Sequence, residues 1–140
     1  KNKADQSFFN GWFKTGDLGY INNNGYLFII GRIKDQINIG GLKTSSDEIN
    51  NIYDKLDSIL DFHAFSIKDD SKYASGEKIV AAVVVKNGKT QNKDSLIDFG
   101  RIHLEEYKVP KEYYFLNKIP RSETGKTLLS ELKKCVKMKN

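Results

Sequence analysis

The chain has 140 residues, 39% apolar and 29% charged, with 23 basic side chains against 18 acidic and a formal net charge of +5. That suffices for one modest core but not two, and no apolar run approaches the roughly 20 residues that span a bilayer. The lone Cys135 excludes an internal disulfide, and without a charged-then-apolar pattern at the start a cytoplasmic location is expected. Basic residues are spread along the chain and interleaved with acids, so no nucleic-acid surface is expected. Only Lys133, Lys134, Lys137 and Lys139 cluster, as at a solvated helix end, and a basic field of this kind is compatible with polyphosphate ligands.

Residues 1–10 show no period and read as an irregular lead-in, as if cut from a longer protein. Trp12-Phe13 are adjacent aromatics of the kind that anchor a core, and Lys14-Thr15-Gly16-Asp17-Leu18-Gly19 turns the chain outward, leaving Asp17 as a turn residue or a ligand. Gly19-Tyr20-Ile21 and Tyr26-Leu27-Phe28-Ile29-Ile30 predict a hairpin around Asn22-Asn23-Asn24-Gly25, its second run apolar enough for a buried strand. Arg32, Lys34 and Asp35 then put three charges into four residues, where continued burial would be very costly. The chain must surface there, as a solvated bend or as a joint that meets something else. Gln36 to Ile39 alternates at the strand period, and Gly40-Gly41 permits backbone angles that residues with a Cβ avoid.

Ser45 or Ser46 with Asp47 and Glu48 predicts a capped helix start, with Ile49, Ile52, Tyr53 and Leu56 as its apolar face to about Lys55. Phe62 to Ile67 reads as a strand, Lys68 to Glu77 as a polar loop, and Lys78 to Val85, rich in β-branched residues, as the central strand. A second helix is expected over Asn92 to Glu106, capped by Asn92 or Asp94, with Leu96, Ile97, Phe99, Ile102 and Leu104 inward despite Gly100. Tyr107-Lys108-Val109-Pro110 stops it, and a strand over Glu112 to Leu116 follows. His63, His103 and Cys135 have no ligand-spaced neighbours and are assigned packing or surface roles. Ile119-Pro120-Arg121-Ser122-Glu123-Thr124-Gly125-Lys126 reads as an exposed loop, and Leu128, Leu129, Leu132 and Val136 as the apolar face of a terminal helix.

Three stretches in register, Lys14 to Gly19, Gly31 to Gly41 and Ile119 to Lys126, resemble the C-terminal part of adenylate-forming enzymes. That superfamily comprises acyl-CoA synthetases, peptide-synthetase adenylation domains and luciferases. The resemblance implies an α+β fold: a small lid domain with a β-hairpin and a central few-stranded sheet flanked by helices. Residues 1–30 would be the tail of a large N-terminal domain plus the connecting hairpin, and residues 31–140 the lid. It further implies that Asp17 holds the nucleotide ribose hydroxyls and that Arg32 reaches ribose and phosphate from the far side. Lys34 would be the pivot of a domain rotation, within the aspartate-or-lysine pattern there. Lys126 would be the adenylation lysine. Gly40, Gly41, Leu42 and Lys43 would border the pantetheine path in the thioester step. Glu48 matches the glutamate at this helix start, whereas Asn38, Thr44 and Ser46 depart from the lysine, apolar residue and proline seen elsewhere.

The implied activity is ATP-dependent acyl-CoA synthesis from a carboxylic acid. ATP with Mg2+ would be held mainly by the large N-terminal domain of the same polypeptide, and coenzyme A would be the co-substrate. No metal site is expected within the chain, and the isolated chain is expected to be inactive. An adenylation domain that loads a carrier-protein thiol shares every motif. A non-enzymatic basic binding module is the reading from another class.

Overall fold

In the computed structural model, the residues described are 8–69 and 76–138. Most of the polar loop expected between Lys68 and Glu77, the lead-in before Phe8 and the last lysine of the basic tail lie outside them. The chain divides into two compact units that meet between Gln36 and Ile37.

The first unit consists of two small hairpins. Strands β1 (Phe8–Phe9) and β2 (Trp12–Phe13) pair antiparallel around Asn10-Gly11. Both turn residues have positive φ, +48° and +82°, the geometry that suits a two-residue hairpin turn and favours Asn-Gly. The expectation of an irregular lead-in is therefore wrong for Phe8 and Phe9, because the Asn-Gly signal between two aromatic pairs outweighs the missing period. Strands β3 (Asp17–Ile21) and β4 (Leu27–Arg32) form the hairpin read from the sequence. The Asn22 side chain shapes its turn by accepting from the backbone of Asn24 and Tyr26 at 3.0 and 2.9 Å.

The expected burial of this strand is not found. Tyr26, Leu27, Phe28 and Ile29 are exposed, Tyr26 by 67%, and Trp12 and Phe13 are exposed as well. A two-stranded sheet cannot cover its own faces, and an apolar pattern becomes a core only when a second layer packs on it.

The second unit is built on the three-stranded sheet β7 (Ile59–Lys68), β8 (Glu77–Val85) and β9 (Glu112–Phe115), with β8 central as its composition predicts. β7 pairs antiparallel with β8 and β9 runs parallel to it. On one face, Phe62, Ala64, Ile79, Ala81, Val83 and Tyr113 pack against Ile49 and Tyr53 of α1 (Ser46–Tyr53) and Leu96 of α2 (Lys93–His103). Ile37, from the β5 strand (Gln36–Ile39), joins that cluster. On the other face, Phe65, Val80, Ala82, Val84 and Tyr114 pack against Ile119 and against Leu132 and Val136 of α3 (Leu129–Lys137). The result is the α+β architecture expected, a sheet covered by helices on both faces.

Both leading helices are capped as the sequence indicates: Ser45 accepts from Glu48 N at 3.1 Å and Asn92 from Ser95 N at 2.9 Å. Gly100 has a packing reason, since a Cβ there would strike the hydroxyl of Tyr53. That hydroxyl is buried and satisfied by Tyr113 at 2.6 Å and the Leu96 carbonyl at 3.1 Å. Ile102 is a correction: it is 76% exposed, on the face of α2 away from the buried Leu96 and Gly100, and the helix ends at His103 rather than Glu106. At the outer margin of β7, the Asn50 side chain of α1 accepts from Ala64 N at 2.8 Å.

Candidate functional site

Asp17 and Arg32 stand opposite each other across β3 and β4 and form an ion pair, Nε to Oδ1, at 2.8 Å. This contact carries no local signal, since the residues are fifteen apart and only the hairpin register joins them. After Arg32, Ile33 to Asp35 make one 3-10 turn, and Lys34 is its middle residue. Ile33 and Asp35 on either side of it are exposed.

β5 and β6 (Leu42–Ser45) pair around Gly40-Gly41. The two glycines have φ of +59° and +92°, which a side chain would strain. Asn38 accepts from Gly41 N at 2.9 Å and braces the turn, a local role. Leu42 and Lys43 are exposed. Thr44 is buried and donates to Glu48 at 2.8 Å, and the Lys108 ammonium reaches the other oxygen of Glu48 at 2.5 Å and Glu105 at 2.8 Å. Burial alone would pull the Lys108 ammonium down, but the hydrogen bonds and charges of Glu105 and Glu48 more than offset it and push it well above the ordinary lysine range. Tyr107 adds a long hydrogen bond to the Lys43 carbonyl at 3.4 Å.

The second motif closes a tight hairpin. Arg121 and Thr127 bridge antiparallel, Ser122 N donates to the Lys126 carbonyl at 2.8 Å and Gly125 N to the Ser122 carbonyl at 2.9 Å. Gly125 takes φ +83°, and Lys126 projects exposed beyond it, with no ion-pair partner among the described residues. Arg121 ties the hairpin to β7, with Nη2 and Nε on the two oxygens of Asp61 at 2.6 and 3.1 Å. Its Nη1 donates to the Gly125 carbonyl at 3.0 Å. The hydrogen bond to Asp61 raises the guanidinium further above its ordinary value. His63, read from the sequence as a packing or surface residue, has Nδ1 3.3 Å from Thr127 Oγ1 and 3.4 Å from Asn50 Nδ2.

The two loops adjoin residues that pack on opposite faces of the sheet. The glycine turn follows Ile37 of the first apolar cluster and leads into α1, whereas the lysine hairpin runs between Ile119 and Leu132 of the second. Sequence reasoning found both loops but neither clamp, because each clamp joins residues sixty positions apart. Among the described residues no three His, Cys, Asp or Glu side chains come together as metal ligands. No helix among them is long and apolar enough to cross a membrane.

The profile of the AMP-binding enzyme C-terminal domain matches residues 48–126. The chain is 39% identical over 125 residues to the probable CoA ligase CCL9 of Humulus lupulus, covering 89% of this chain and 23% of that protein. It is 37% identical over 125 residues to an oxalate–CoA ligase of Saccharomyces cerevisiae, covering 89% and 22%. Among solved structures, o-succinylbenzoate CoA synthetase from Bacillus subtilis, in complex with the acyl-adenylate intermediate, superposes with a TM-score of 0.83 at 31% identity. That match covers 92% of this chain and 26% of the synthetase. The chain thus spans roughly a quarter of the length of the curated relatives it matches. On this fold, these two loops and the matched profile, the chain belongs to the AMP-binding enzyme C-terminal domain family.

Proposed function

We propose that the chain is the lid domain of an ATP-dependent acyl-CoA synthetase, with residues 31–140 as the lid and residues 1–30 as the end of the large domain plus its connecting hairpin. In the first half-reaction a carboxylate oxygen of the acid bonds to the α-phosphorus of ATP. The bond from that phosphorus to the bridging oxygen breaks, and pyrophosphate leaves with the electron pair. Lys126 stabilises the charge that moves onto the bridging oxygen, a task suited to a compact ammonium on a flexible stem. In the second half-reaction the thiol sulfur of coenzyme A bonds to the acyl carbon, AMP leaves and the thiol proton is released. There the Gly40, Gly41, Leu42 and Lys43 turn borders the pantetheine.

The observation that carries this reading is the exposed Lys126 ammonium, without an ion-pair partner among the described residues, at the tip of a clamped hairpin whose flanking residues belong to the apolar cluster on the other face of the sheet from the one that Ile37 joins before the glycine turn. Two loops so placed serve one cavity in succession, which calls for rotation. Lys34 is the pivot, supported by its place in an exposed corner two residues before the boundary between the compact units. Asp17 and Arg32 meet the nucleotide as a pair, the carboxylate toward the ribose hydroxyls. Among the described residues no three His, Cys, Asp or Glu side chains come together, and magnesium with ATP would be held mainly by the large domain.

Relatives of this one domain act on acids as different as oxalate and o-succinylbenzoate, which supports placing acid choice outside the chain. The test uses the full-length enzyme with oxalate, o-succinylbenzoate and palmitate as trial acids. Lys126→Ala should lower acid-dependent pyrophosphate release by about 10² or more, and an unchanged rate would overturn the reading. Offering free CoA against a carrier-protein thiol settles the acceptor, with CoA expected. The isolated 140-residue chain should show no turnover.

A further inference from the structure

We propose that Asp61 is a positioning residue for Lys126: by gripping Arg121 it fixes the hairpin that presents the ammonium, so that adenylation depends on it and the thioester step does not. The inference rests on the adenylation role of Lys126 argued above. Within the hairpin, the Ser122 hydroxyl accepts from Lys126 N at 3.2 Å and the Ser122 carbonyl accepts from Gly125 N. These bonds set the shape of the turn but not its aim relative to the sheet. The aim is set by Arg121. Its planar guanidinium binds both oxygens of Asp61 along one edge and, through Nη1, the carbonyl of Gly125 on the other. That carbonyl belongs to the peptide bond entering Lys126. A rigid fork therefore links β7 to the backbone at the base of the lysine side chain.

Asp61 is suited to be the fixed end. It lies on the longest strand, just after the register irregularity between Ile59 and Asp61, where an extra residue re-aims a side chain. Thr127, on the far side of Lys126, is held a second time by Arg121 at 3.3 Å and by His63, so both neighbours of the lysine refer back to β7. The clamp itself is half exposed, Arg121 by 38% and Asp61 by 27% in their side chains, and such pairs add little to global stability. Misplacing a reacting group by about 1 Å can nevertheless cost about 10²-fold in rate.

In the full-length enzyme, Asp61→Ala should lower acid-dependent pyrophosphate release by roughly 10- to 100-fold, through kcat and with little change in the KM for ATP. CoA-dependent release of AMP from supplied acyl-adenylate should stay within about twofold, as should the melting behaviour. Arg121→Lys keeps the charge but not the fork and should behave like Asp61→Ala, while Asp61→Glu should restore part of the rate. Amide exchange at Gly125 and Lys126 should quicken in Asp61→Ala without a change in α3, a readout that needs no substrate. If Lys126→Ala is inactive but Asp61→Ala keeps full adenylation, or if Asp61→Ala slows both half-reactions equally, the positioning proposal fails while the function stands. If Lys126→Ala itself leaves pyrophosphate release unchanged, the functional reading fails first.

Discussion

The glycine turn at Gly40-Gly41 and the lysine hairpin at Ser122–Lys126 are fastened by the same device used at different depths. Each turn is shaped locally by glycine at positive φ, and each is tied down by a basic side chain bound to a carboxylate sixty residues away. Lys108, however, is 8% exposed and neutralised by two glutamates, whereas Arg121 lies near the surface. A buried ammonium stripped of its partners would be costly, so the first clamp belongs to the fold. The second can be removed at small structural cost, and its loss should be read in chemistry instead.

This contrast predicts an ordered set of outcomes. Lys108→Met, which leaves Glu48 and Glu105 facing each other without their cation, should destabilise the domain most. Removing one partner of a fully buried pair costs about 3–5 kcal/mol; because Glu48 and Glu105 are 43% and 64% exposed, roughly 1–2 kcal/mol is expected. A lowered melting temperature would register it, and an unchanged one would erase the distinction between the clamps. Next come the turns themselves: Gly41→Ala and Gly125→Ala should each cost about 1 kcal/mol of backbone strain. In the full-length enzyme the first should slow CoA-dependent AMP release and the second pyrophosphate release. Equal slowing of both steps by either variant would break the assignment of one loop to each half-reaction.

The smallest effect is that of pH. Lys108 holds the Glu105 carboxyl below its ordinary value of 4.5, chiefly by hydrogen bonding. A carboxylate depressed in this way contributes stability that is present above about pH 4.5 and lost as pH falls through its lower folded value. The raised Lys108 contributes stability that is fully present below its ordinary 10.5 and lost only as pH climbs past its still higher folded value. The Lys108–Glu105 pair should therefore be insensitive to pH between about 5 and 10, and Lys108→Met should flatten the acid limb of a melting-temperature profile.

Local chemistry made much of this legible in advance. β-branched density found β8, serine and asparagine caps found α1 and α2, and glycine among polar residues marked both loops. What failed was whatever depends on distant partners. The apolar run at Tyr26–Ile29 predicted burial, yet a pattern cannot say whether a layer is present to cover it. Gly100 looked like a weak point of α2 until the Tyr53 hydroxyl was seen beside it. Asp61, Thr44 and Lys108 carried no functional signal of their own, since a clamp exists only after the chain has brought two unremarkable charged residues together.

The Asn50 amide that takes the Ala64 N–H has a consequence for association. β7 borders the sheet, and an outward donor on a bordering strand is where a foreign chain would begin to zip on. With that donor already engaged by its own helix, pairing of a foreign strand along β7 should be interrupted at mid-strand.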